Sequence, residues 1–197
     1  TYLFAITGAG EDACRTGDLD ITQALTLNGA GATTTIVDAN GFDRVLETVA
    51  GISTVNGLTL TRGNPGAGLG GGVHAGSGST LSLSSVKVTA STTTTNGGGI
   101  YNDGTLTLVD SELSGNAASG NGGGLANANL ATLTRVLVAA NTGSNGGGIE
   151  NNGPAGNTLT ATNVTISGNS ATTAGGGIRT SRGATLPPFT STGSRSS

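Results

Sequence analysis

Few residues in this chain of 197 can do acid–base, nucleophilic or metal chemistry: 11 aspartates and glutamates, one histidine and one cysteine. The densest acidic grouping is GEDACRTGDLD, which holds Glu11, Asp12, Asp18 and Asp20. Oxygen-rich loops of this kind can bind calcium, but the segment lacks the ligand series of an EF-hand and the calcium-binding nonapeptide repeat. A solvated loop is the default reading. No cofactor is expected, calcium on these four residues being the one alternative. GAGLGG at 66–71 fits GxGxxG, yet a dinucleotide site needs that motif between a strand and a helix, and here a strand follows. His74 has no serine or cysteine placed beside it, so nucleophile activation has no support. No catalytic residue is assigned.

The elements that carry these residues follow from a repeat. A triple glycine and an aliphatic residue recur at Gly70–Val73, Gly97–Ile100, Gly122–Leu125, Gly146–Ile149 and Gly175–Ile178, at spacings of 27, 25, 24 and 29 residues. Spacings in this range belong to solenoids. Aligned on the end of each copy, Ser91, Asn116, Asn141 and Asn169 share a column. So do Leu83, Leu108, Leu133 and Ala161, and likewise Val88, Leu113, Val138 and Ile166. Apolar residues within a copy alternate, the period of a strand, and no spacing supports a helix.

The pattern predicts an all-β fold: a right-handed, single-stranded parallel β-helix with three short strands per coil and about eight coils of roughly 25 residues each. Residues 1–182 form its domain, with less regular entrance coils over 1–69 and regular repeats over 70–182. Residues 183–197, with Pro187–Pro188, are expected to be a disordered tail. Asn116, Asn141 and Asn169 are expected to form a ladder along the axis through their amides.

That alignment also spreads the remaining acids over different columns. Asp110 falls opposite Arg135, Glu112 opposite Lys87 and Glu150 opposite Arg179, as pairs on neighbouring rungs. The column His74, Tyr101, Ala126, Glu150, Arg179 accepts such different residues that it is expected to face solvent. Outward positions of the second strand read Ser82, Thr107, Thr132 and Thr160, with Thr134 and Thr162 one column over. Threonine suits outward strand positions, and an array of it is a candidate contact face.

Composition excludes several functions. Charged residues are 10% of the chain and net charge is −3, so nucleic acid is not an expected partner. No apolar run approaches the roughly 20 residues of a membrane helix, so direct insertion of this segment is not expected. The chain opens on TYLFAI without a methionine and reads as a fragment or processed chain, so a missing signal peptide says little.

The GGG-aliphatic motif, followed by Leu113-x-x-Asn116, Val138-x-x-Asn141 and Ile166-x-x-Asn169, resembles the paired GGA[ILV] and FxxN motifs of chlamydial polymorphic outer-membrane proteins. More broadly it resembles the β-helix repeats of bacterial surface and autotransporter passenger proteins. Glycine stands for alanine in the first motif and an aliphatic residue for phenylalanine in the second. The resemblance implies export, display at a bacterial outer membrane or cell surface, and adhesion to host cells, matrix or glycans, with no defined catalytic residues. The expectation is therefore a secreted or cell-surface structural and adhesive module. The alternatives are a polysaccharide lyase or glycoside hydrolase on the same scaffold, and an ice-binding solenoid. Oligomeric state is left open.

Overall fold

The computed structural model describes residues 17–154 and 156–180, together with the backbone of two short strands, Tyr2–Leu3 and Arg195–Ser196. The chain is a parallel β-solenoid of about six turns with three to four strands per turn. The first sheet stacks Leu19–Ile21, Leu46–Thr48, Val73–Ala75, Ile100–Asn102, Leu125–Asn127, Ile149–Asn151 and Ile178–Thr180. The second stacks Leu25–Asn28, Gly51–Asn56, Ser79–Ser84, Thr105–Val109, Leu130–Thr134 and Thr158–Thr162. The third runs from Ile36–Asp38 through Thr59–Thr61, Lys87–Thr89, Glu112–Ser114 and Leu137–Ala139 to Thr165–Ser167, with Tyr2–Leu3 beyond its first strand.

A fourth sheet was not anticipated. It stacks Thr92–Thr93, Ala117–Ala118, Thr142–Asn145 and Ser170–Ala174, and Arg195–Ser196 pairs with the last of these. The turn count is also lower than the eight expected from roughly 25 residues per coil over residues 1–182. Residues 1, 4–16, 155, 181–194 and 197 lie outside the described residues, and with them most of the segment expected to be a tail.

Alternation places one face of each strand in the lumen. Leu106 and Leu108 stack on Leu81 and Leu83 below and on Ala131 and Leu133 above, all buried. On the third sheet Val88, Leu113, Val138 and Ile166 form an unbroken buried column, and on the first sheet Val73, Ile100, Leu125 and Ile149 form another. A single coil would leave these residues wet, so each coil is stable only against its neighbours.

The triple glycine divides its labour. Gly122 turns the chain in the left-handed region, at φ 66°. Gly123 and Gly124 are there for clearance. A Cβ on Gly123 would stand 2.3 Å from the Thr142 carbonyl oxygen, and one on Gly124 2.7 Å from that of Gly148. Only a residue without a side chain lets successive coils approach this closely at the corner.

Inside the corners the asparagines stack. Asn116 donates its amide to Asn141 Oδ1 at 3.1 Å, and Asn141 donates to Asn169 Oδ1 at 2.9 Å. The same oxygens accept the backbone N–H groups of Asn116 and Asn141. A second buried ladder joins Asn102 to Asn127 at 2.6 Å and Asn127 to Asn151 at 2.7 Å. Apart from Asn151 Nδ2, at the end of the second ladder, these buried amides satisfy their own polar atoms and backbone groups as well.

Candidate functional site

Two surfaces and one charged cluster could carry function. On the second sheet the outward residues Ser82, Thr107, Thr132 and Thr160 are in direct register, and Thr26 and Thr54 extend that column towards the entrance. Thr134 and Thr162 stand beside each other in the adjacent column, after Ser84 and Val109. Thr26, Thr132, Thr160 and Thr162 are exposed and the others half-buried. Rungs about 4.8 Å apart thus present hydroxyls in rows across six strands. Ile52 and Leu130, both exposed, interrupt the third outward column.

The outward column of the first sheet runs Asp20, Glu47, His74, Tyr101, Ala126, Glu150, Arg179 in continuous register. Contrary to expectation, most of it is covered. Glu150 is 2% exposed and Ala126 4%, because asparagines at the neighbouring corners rise on either side. On one flank the Asn121 N–H donates to Asn96 Oδ1, and Asn145 Nδ2 to Asn121 Oδ1, each at 2.8 Å. Glu150 Oε1 accepts from Arg179 at 2.5 Å. Burial nevertheless pushes the Glu150 carboxyl up, against the pull of Arg179. Glu150–Arg179 is therefore a half-buried pair and not a surface one.

At the entrance the structure brings Asp18 and Asp20 together with Glu47, one carboxylate oxygen of each lying within 4.8 Å of the others. Glu11 and Asp12 lie outside the described residues. Among the described residues, these three carboxylates are the group that could hold a metal ion. Their partners come from within the chain: Arg44 reaches Asp18 at 2.9 Å and also bonds Glu47, while His74 Nδ1 meets Glu47 Oε1 at 2.7 Å. Burial works to raise Glu47, but its bond to His74 and the charge of Arg44 win, and its carboxyl is held low. Sequence reasoning missed Glu47, Arg44 and His74 as members, since they come from later rungs.

Asp18 behaves oppositely. Burial lifts its carboxyl to about 7 despite Arg44, and Asp20 and Asp43 add to the lift. An unfolded aspartate titrates near about 3.9. Between those values the folded chain keeps a proton that the unfolded chain has lost. The stability from this group is thus complete below about pH 4 and lost as pH rises through about 7. Asp18→Asn cannot titrate, so its melting temperature minus that of the wild type should climb from pH 4 to pH 7.5. Thermal melts across that range check this, and a flat or falling difference would mean Asp18 is ionised throughout.

Along the corner between the second and third sheets lies an open groove of about 650 Å³, lined by Ser85, Lys87, Asp110, Glu112 and Arg135 among others. Its charges are already matched, Lys87 with Glu112 at 2.9 Å and Arg135 with Asp110 at 2.6 Å. Each carboxylate has a cation on the adjacent rung, which favours weak surface pairing over a pair of acids poised across a sugar bond.

Comparison with protein-family models, with curated proteins and with solved structures finds no match to this chain. No helix among the described residues is long and apolar enough to cross a membrane.

Proposed function

We propose that this solenoid is a secreted or bacterial cell-surface structural module whose outward Thr/Ser/Asn face adheres to host cells, matrix or glycans. One observation carries the reading: Ser82, Thr107, Thr132 and Thr160 align in register on one outward face of a rigid sheet. Such a face makes many weak hydrogen bonds at once, and multiplicity turns weak contacts into adhesion. The repeat motifs resemble those of polymorphic outer-membrane and autotransporter passenger proteins, which supports export by analogy alone.

The test is adhesion set beside turnover. The protein is immobilised and scored for capture of cells, matrix proteins and glycans, then incubated with pectin, alginate and glycosaminoglycans, with and without calcium. Binding without new reducing or unsaturated ends is expected, and it should fall when Thr107, Thr132 and Thr160 are replaced together by lysine. Turnover lost on mutating a face carboxylate would replace this reading with a polysaccharide-cleaving enzyme. Growth arrest of ice crystals without adhesion would replace it with an ice-binding surface.

A further inference from the structure

The outward column of the first sheet is filled by long side chains except at one rung. His74 and Tyr101 meet edge to face at 5.5 Å between ring centroids, and Glu150 and Arg179 pair further along, but Ala126 stands between Tyr101 and Glu150 with a single methyl group. The result is a notch of about 70 Å³ with Ala126 on its floor. Tyr101 and Glu150 close its ends, and Asn96, Asn121 and Asn152 line its sides.

Glu150 makes this more than a surface dimple. Its side chain is 3% exposed, and Arg179 takes Oε1. The second carboxylate oxygen, Oε2, is buried without a hydrogen-bond partner among the described residues. A buried acceptor left unmet costs about 1–3 kcal/mol and is offset by any donor that reaches it. The chemistry of that donor is constrained on three counts. An anionic ligand would meet the Glu150 carboxylate. A cationic one gains little, because Arg179 already neutralises that charge. The size admits about two water molecules' worth of matter, at about 30 Å³ each, which suits one edge of a ring and not the whole of it.

We propose that this notch is a binding site for the hydroxyl edge of a neutral sugar unit within a glycan chain. A sugar hydroxyl donates to Glu150 Oε2, and the side-chain amides of Asn96, Asn121 and Asn152 offer both donors and acceptors to the neighbouring hydroxyl. The Tyr101 ring supplies an apolar end against which ring C–H groups pack. The site rests on the adhesive reading above but is a separate surface from the threonine face.

The experiment titrates the protein with cellohexaose, maltohexaose, mannohexaose, xylohexaose and chitohexaose, with hexagalacturonate as the acidic comparison. Saturation-transfer NMR and amide shifts are the readouts. Binding of at least one neutral hexaose is expected, with shifts centred on Ala126, Glu150 and Asn152. Ala126→Leu, which fills the notch, and Glu150→Gln, which removes the anionic acceptor, should each weaken it at least tenfold. If Ala126→Leu lowers the melting temperature, Glu150→Gln and the shift map decide alone. Undiminished binding by Glu150→Gln, or shifts centred elsewhere, would overturn the notch and leave the adhesive reading standing. Adhesion to cells or matrix with no neutral hexaose bound would do the same, making the notch a place for ordered water only. Loss of both adhesion and oligosaccharide binding would overturn the two together.

Discussion

Leu113→Asp is expected to abolish cooperative folding of the regular coils. Leu113 is fully buried on the third sheet, in register between Val88 and Val138, and its lumen neighbours are aliphatic. An aspartate there loses the burial of a leucine and places a carboxylate where no cation can reach it. It must either remain charged in an apolar lumen or take up a proton far above its usual range. Loss of the leucine alone costs about 2–5 kcal/mol, and the stranded carboxylate brings the total above about 5 kcal/mol. That rivals the whole stability of an ordinary domain. Circular dichroism should show a collapsed thermal transition at pH 7 and partial recovery at acid pH. An unchanged melting temperature would show that the third sheet's faces are assigned the wrong way round.

Asn141→Leu keeps the branched outline of the side chain and removes the polar atoms. Asn141 is fully buried at the middle of its ladder. Its amide donates to the Leu113 carbonyl and to Asn169 Oδ1, both at 2.9 Å, and its Oδ1 accepts from Asn116 N and Nδ2. The substitution leaves the Asn116 backbone N–H without its acceptor and takes one donor each from the Leu113 carbonyl and from Asn169 Oδ1, which keeps the Asn141 backbone N–H. At about 1–3 kcal/mol for each buried group the loss is on the order of 4 kcal/mol. For a chain of this size that is a fall of roughly 10 °C in melting temperature. The damage should also be local, with amide exchange quickening first at Asn116 and at the coils on either side of Asn141. A fall below about 2 °C would mean the ladder adds nothing that water could not supply.

How far the sequence disclosed this structure depends on what kind of position is asked about. The lumen columns were legible because alternation is strict and the residues are large: Leu83, Leu108 and Leu133 announce their face without help. The fourth sheet was not, because its inward positions are Thr93, Ala118, Gly143 and Ala171, too small and too mixed to stand out from loop. The second asparagine ladder was readable in principle. Asn102, Asn127 and Asn151 each follow the repeat's aliphatic residue by two positions. The same column holds Thr48 and Ala75 before them and Thr180 after, so a consensus over all copies dilutes it. Cover over Glu150 and Ala126 was invisible for another reason. Alternation reports whether a side chain leaves the sheet inward or outward, and it is silent on corner residues such as Asn121 that rise beside an outward one. The entrance cluster needed Arg44 and Glu47 brought beside Asp18, a contact made one full turn later.

Stacking in register has a consequence for how quickly such a chain can find its structure. Each rung of the first sheet meets a partner 24 to 29 residues away, whether it lies at the entrance or near the far end. The loop that must close to add a coil therefore stays the same length as the rod grows, and so does the entropy lost in closing it. Sequence separation relative to chain length falls with every added coil, whereas in a sandwich or barrel the last strands must search across the whole chain. Once two neighbouring coils have paired, each further one winds onto an existing edge. The slow event is the first pairing, and the time to fold beyond it grows only in proportion to the number of coils.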